Sequence, residues 1–283
     1  MKIYRQTKIS CALASLACVA LTTGSGLSAT YMWTGADGAT DATWQNSLNW
    51  AGGDAPDGVA NQLSTVSSTD VVVFNSETVT FMPSNSITTR NSFTGSFKNP
   101  QIQVLNGEVT FNGIENWGWS GITSFIVGDG DMTNLAVADT DFRNLNRDPS
   151  GIKTYAVNAD GTLKFRRSAS TWSYSGAKDA QIQLNGGAVL FDGSISGDFV
   201  SDAGDFVSFN SAGSTLTANF GGSFADLTAI TNQFAAGFVD TTGNGLAATD
   251  NSDGTYTISV VPEPSTTALL GLGGLALILR RRK

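Results

Sequence analysis

The side chains that could do chemistry in this chain are few, and the missing ones exclude a great deal. No histidine occurs among its 283 residues. A Ser-His-Asp or Cys-His nucleophile system needs an imidazole base, and an HExxH zinc site needs two imidazole ligands. Paired carboxylates could still hydrolyse a glycosidic bond, but between residues 30 and 261 the glutamates are only Glu77, Glu108 and Glu115. Their separations, which decide that chemistry, are not readable from spacing. Gly128-Asp129-Gly130-Asp131 and Asp250-Asn251-Ser252-Asp253-Gly254 place oxygen ligands close together, as calcium requires, with Asp129 and Asp131 as candidate ligands. Neither completes an EF-hand loop with its closing bidentate Glu, and solvated turn acids are the plainer reading. In Trp117-Gly118-Trp119 the two indoles would share one face of a strand, with an open glycine between them. Trp117 and Trp119 are therefore the candidates for stacking on a sugar ring. Trp33, Trp44, Trp50 and Trp172 fit the more usual use of tryptophan as a core anchor.

The elements that must position these groups are strands and turns. Asp37-Gly38, Asp57-Gly58, Asn106-Gly107, Asn112-Gly113, Asp160-Gly161, Asn185-Gly186, Asp192-Gly193 and Asp253-Gly254 supply the positive-φ positions of tight turns. Between them lie short β-branched and aromatic runs, such as Val71-Val72-Val73-Phe74 and Thr255 to Val260, where Tyr256, Ile258 and Val260 fall on one face. Only Phe224 to Phe238 has helical spacing, through Leu227, Ile230, Phe234 and Phe238. Thr228, Thr231 and Asn232 at its centre weigh against a helix.

An internal repeat organises the strands. Gln101 to Gly113 returns 80 residues later as Gln181 to Gly193, with seven of thirteen positions identical. A fainter echo pairs Asp70 to Ser76 with Asp205 to Ser211. The repeated unit of strand, turn, strand, turn fits equivalent hairpins in two sheets or the coils of a solenoid. A period of 80 would then span several degenerate coils. The fold expected is all-β: a β-sandwich or short β-solenoid with many tight turns, plus an N-terminal signal helix and a short C-terminal apolar helix.

Both ends are address labels. Lys2, Arg5 and Lys8, an apolar run from Ile9 to Leu21, and small residues up to Ala29 make a secretory signal peptide, residues 1–29. Ser15-Leu16-Ala17-Cys18 is a poor lipobox, and both cysteines, Cys11 and Cys18, lie in this segment. The exported body, residues 30–261 with a looser part up to about residue 100, is then free of cysteine and relies on its core. Three of the sixteen cations precede it and four follow it, and Glu263 is the one acid of twenty-four outside it. The body so carries 9 cations against 23 acids, a net −14, which repels nucleic acid and anionic headgroups.

The other end, residues 262–283, reads Pro262-Glu263-Pro264-Ser265, an apolar stretch from Thr266 to Leu279, and Arg280-Arg281-Arg282-Lys283. A helix over that stretch is about 21 Å long at ~1.5 Å per residue, short for a hydrocarbon core of ~30 Å. The cationic cluster stays cytoplasmic by the positive-inside rule. The two prolines break any incoming helix and present an extended strand. In this order the parts resemble the PEP-CTERM sorting signal of Gram-negative bacteria, also called the ice-binding protein C-terminal domain. The resemblance implies recognition of Pro262, Glu263 and Pro264 by a membrane-embedded exosortase, transient membrane insertion, removal of the tail, and delivery to the outer surface or extracellular matrix. The ice-binding name would require Thr-x-Thr at a fixed period. Thr78/Thr80, Thr215/Thr217 and Thr255/Thr257 have none.

Trp33-Thr34-Gly35, Trp44, Asn49-Trp50, Pro56 and Asp70 to Phe74 are similar to the opening of autotransporter-like β-strand repeat proteins, which implies a repetitive extracellular β architecture and no defined activity. The function expected is that of an exported structural protein of the surface or matrix, without catalysis. A carbohydrate-binding module for exopolysaccharide and a glycoside hydrolase are the alternatives.

Overall fold

A computed structural model describes residues 29–36, 46–53, 71–75, 79–81, 101–111, 124–140, 153–166, 172–173, 180–196, 206–234, 237–262 and 279–280. The signal segment up to residue 28 and most of the apolar tail lie outside the described residues.

The segment Gln101–Phe111 shows how the sequence builds the fold. Ile102 and Val104 are buried, and so are Val109 and Phe111, while most residues between and beside them are half-exposed. Strict alternation would put the two pairs on opposite faces. The extra step at Asn106-Gly107, where Gly107 takes φ 82°, turns the chain so that both halves face the same interior from different sheets. The Asn-Gly pair is therefore a corner and not a hairpin turn.

One parallel ladder runs through β1 (Thr30–Trp33), β2 (Val71–Asn75), the first half of β4 (Gln101–Phe111), β5 (Ser124–Val127), β7 (Lys153–Asn158), β10 (Ala180–Asn185), β12 (Phe206–Phe209) and β14 (Phe238–Asp240). A second runs through β3 (Val79–Phe81), the second half of β4, β6 (Ala136–Thr140), β8 (Gly161–Phe165), β11 (Ala188–Ser196) and β13 (Thr215–Asn219). The short β9 (Trp172–Ser173) pairs with the far end of β11. The chain alternates between the ladders, so each coil adds one strand to each: a β-solenoid. Among the described strands of these two ladders every neighbour is parallel, which is the pairing of stacked coils and not of the hairpins of a sandwich. We call the side where the chain passes from first ladder to second the leading edge, and the opposite side the return edge.

Register explains the repeat. Gln101 pairs with Ser124, Ser124 with Thr154, and Thr154 with Gln181. The repeated glutamines thus occupy one column, three coils apart, at steps of 23, 30 and 27 residues. Phe74 and Phe209 of the fainter echo also share a column, through Val104, Val127, Val157 and Leu184.

Between the ladders runs a line of rings. Trp50, Trp33 and Phe74 close the N-terminal end, and contacts at 5.9, 5.8, 6.3, 6.1 and 4.8 Å lead from Phe74 through Phe111, Phe125, Tyr155 and Phe165 to Phe191. Trp33 and Trp50 are core anchors, each 2% exposed.

The C-terminal end departs from the pattern. After β14 the chain forms β15 (Leu246–Asp250) and β16 (Tyr256–Val260), and β16 inserts antiparallel between β13 and β15. Helix α1 spans Leu227–Phe234, shorter at both ends than the spacing suggests. It starts after Asp226, whose Oδ1 accepts the Ala229 N–H at 2.9 Å. It buries Ile230 against the core, and the Phe224 N–H just before it donates to the Tyr256 hydroxyl at 2.8 Å.

Candidate functional site

The leading edge carries the most elaborate local structure. Asn185 Nδ2 donates to Asn158 Oδ1 at 3.1 Å, Asn210 Nδ2 to Asn185 Oδ1 at 2.9 Å, and Thr241 Oγ1 to Asn210 Oδ1 at 2.9 Å. This amide ladder ties successive corners together, and its sequence signal is an asparagine at the same point of three successive coils, Asn158, Asn185 and Asn210. Of these only Asn185 was expected in a turn, as part of Asn185-Gly186.

Asp129 and Asp131 lie in the corner 128–135, the longest of the fully described corners. Its base is held by Asp160, 3% exposed, whose carboxylate accepts the N–H groups of Gly130 at 2.7 Å and Asp129 at 3.1 Å. Asn158 Nδ2 donates to the Gly128 carbonyl at 2.7 Å. Gly128 has φ 82°, and a Cβ there would sit 2.4 Å from Asp160 Oδ1. Asp129 Oδ1 accepts the Asp131 N–H at 2.8 Å, and Asp131 Oδ1 accepts the Thr133 N–H at 3.0 Å and hydroxyl at 2.8 Å. The Thr133 N–H and then its hydroxyl hold the Asp131 carboxyl below the usual carboxylate range. These oxygens serve Asx turns. Among the described residues no three acidic, histidine or cysteine side chains converge on a point where a cation could sit. Within the corner Met132 is 63% exposed, and Leu135, at its end beside β6 with its carbonyl accepting the Gly107 N–H at 2.9 Å, is 64% exposed.

The other candidates separate. Trp117, Trp119, Glu77 and Glu115 lie outside the described residues, and Glu108 is exposed on β4. Thr217 and Thr257 are cross-strand neighbours with hydroxyls 2.8 Å apart, and they meet Thr249 on β15. Toward the N-terminus the same row holds Leu190, Lys164 and Asp139, so no regular threonine array forms.

The tail junction is sharply defined. Val260 ends β16 at 2% exposure. The Val261 N–H donates to the Gly245 carbonyl at 2.9 Å, and Val261 and Pro262 are exposed. Packing and pairing thus stop one residue before the Pro-Glu-Pro tripeptide. A sequence-family comparison matches residues 260–283 to the PEP-CTERM protein-sorting motif. The chain carries a PEP-CTERM sorting tail. The match begins on the last residue of β16 and takes in Pro262, Glu263, Pro264, the apolar stretch and the cluster Arg280 to Lys283. A PEP-CTERM tail marks an exported protein of the Gram-negative cell envelope, sorted by exosortase. The motif is a sorting tag and not a catalytic element. No curated protein and no solved structure matches the chain. Glu263, Pro264 and Arg281 to Lys283 lie outside the described residues, and Leu279 and Arg280 are helical and exposed. Among the described residues no helix is long and apolar enough to cross a membrane.

Proposed function

We propose that the solenoid body is a structural component of the envelope surface or extracellular matrix, without catalysis of its own, placed there by its PEP-CTERM tail. The observation that carries this reading is the junction at Val260–Pro262. A body of stacked coils is complete at Val260, and Val261 and Pro262, where the recognition tripeptide begins, are exposed, so an exosortase can act there without disturbing a strand. The aromatic core and the amide ladder support the same reading, since they give the coils stiffness without cysteine. A glycan-binding role for Trp117 and Trp119 rests on their spacing alone.

The test is made in the host. Glu263→Gln should leave the protein in the membrane fraction with its tail intact, and unchanged delivery to the surface refutes the sorting step. Deleting the gene should thin or weaken the surface layer. A deletion that leaves the layer intact and abolishes turnover of a glycan refutes the structural reading.

A further inference from the structure

The direction of the last strand and the position of the corner 128–135 together orient the body on a membrane. The second ladder starts every strand at the leading edge: Ala136 of β6 stands beside Gly161 of β8, Thr162 of β8 beside Ala188 of β11, and Ala188 beside Thr215 of β13. β16 is antiparallel to β13, with Ser259 opposite Thr215, so it runs toward that edge. Val261 bonds there to Gly245, and the chain leaves the fold at Pro262. The described body therefore ends at the leading edge, where the tail begins. A membrane that takes the tail lies close to that edge, because only Glu263, Pro264 and Ser265 separate Pro262 from the apolar stretch.

Of the seven exposed large apolar residues among those described, three fit this placement; Met32 and Val239 lie within β1 and β14, Leu48 in the segment 47–49 and Leu279 in the tail. Met132 at 63%, Leu135 at 64% and Val261 at 39% all lie on the leading edge. The described residues of the return edge include Arg166, Gly221 to Ser223 and Asp226 and no exposed large apolar side chain. The second ladder runs β6, β8, β11, β13, β16, so the corner 128–135 stands four strands from the exit, about 19 Å at ~4.8 Å per strand. Its base is clamped by Asp160 and Asn158, so presenting Met132 just beyond it entails little ordering entropy.

We infer that the leading edge rests on the lipid bilayer while the tail is inserted, with Met132 and Leu135 dipping into the interface as a second contact beside the tail. Asp129 and Asp131 on the same corner select against anionic headgroups, so the surface that fits is zwitterionic. The inference rests on the sorting reading of the tail and not on the structural role of the body.

The test uses the full chain with Cys11→Ser and Cys18→Ser, carrying an environment-sensitive dye on Leu135→Cys, on Met132→Cys or, on the return edge, on Ser223→Cys. All three positions are exposed, so the substitutions spare the core. With phosphatidylcholine vesicles, the dyes at 132 and 135 should shift to the blue and be quenched by lipid-borne quenchers, and the dye at 223 should not. Admixed phosphatidylglycerol should weaken the shift. A chain that floats with the vesicles while all three dyes stay water-exposed overturns the inference and leaves the tail reading standing. A chain that does not float overturns both. A stronger shift on anionic vesicles overturns the assigned headgroup preference.

Discussion

Gly161→Ala separates two explanations of the glycines at the corners. Ordinarily Gly to Ala stabilises a strand-compatible position by ~0.4–1 kcal/mol, because the unfolded chain loses freedom. Gly161 does not take a positive φ, so backbone conformation alone forecasts that gain. Space forecasts the reverse. A Cβ at Gly161 would lie 2.3 Å from the Val127 carbonyl oxygen, 2.8 Å from its carbon and 3.1 Å from the Asn158 carbonyl oxygen. All are backbone atoms and cannot rotate away. Relief requires the coils of β5 and β8 to part by about an ångström, an overpacking cost of ~1–3 kcal/mol. The same movement strains the bond from the Ala136 N–H to the Asp160 carbonyl, 3.1 Å long, which adds ~1 kcal/mol. The sum is about 2–4 kcal/mol, and in a body of this size ~1 kcal/mol moves the midpoint by ~2–4 °C. Thermal unfolding followed by circular dichroism should show a fall of roughly 5–15 °C. Gly130→Ala is the control: φ is 94° and nothing lies within 4 Å, so only backbone strain of ~1–2 kcal/mol applies. A midpoint for Gly161→Ala at or above wild type, or a smaller loss than for Gly130→Ala, refutes the close approach of the coils.

Phe125→Ala removes a ring 1% exposed that bridges Phe111 and Tyr155, and should cost ~3–5 kcal/mol in urea unfolding; a loss below ~1 kcal/mol contradicts the continuous aromatic core. Asp131, Asp240 and Asp253 are each held below the usual carboxylate range, chiefly by Thr133, Thr242 and Thr255 respectively. Their folded-state values lie below the unfolded ~3.9, so their contribution is full above that value and is lost as pH falls through the lowered one. Thr242→Val with Thr255→Val should therefore lower the midpoint at pH 6 more than at pH 2, and an equal loss at both rules out the carboxylates as the cause. If Trp117 and Trp119 stack on a glycan, Trp117→Ala with Trp119→Ala should abolish retention on the host's exopolysaccharide, and a wild-type chain that is not retained ends that reading.

Strand identity and the inward faces were legible because alternation sorts residues between core and solvent, as in Tyr256, Ile258 and Val260. The direction of pairing was not. Asn106-Gly107 and Asn185-Gly186 have the composition of hairpin turns, and positive φ at Gly107 and Gly186 serves a corner equally well. Coil length was hidden because Phe125 and Tyr155 stand in the column where Ile102 and Ile182 repeat. Volume and apolarity sufficed there, and identity did not survive. Asp160 looked like another Asp-Gly turn, and its clamp on the next corner 30 residues earlier is a contact no local pattern announces. The sorting motif was legible as a motif, because its parts are recognised by their linear order.

Because β16 lies between two strands that precede it in the chain, the order of synthesis differs from the order in space. Coils up to β13 can stack as each leaves the export channel, since each needs only the one before it. The sheet at the far end cannot close until residues 256–260 have emerged, and those are the last before the tail. Completion of the fold and arrival of the sorting tripeptide outside the channel are thereby one event. A chain stalled before residue 256 leaves the edge of β13 unpaired, and only a chain exported as far as its tail offers a closed body with the sorting tripeptide in reach.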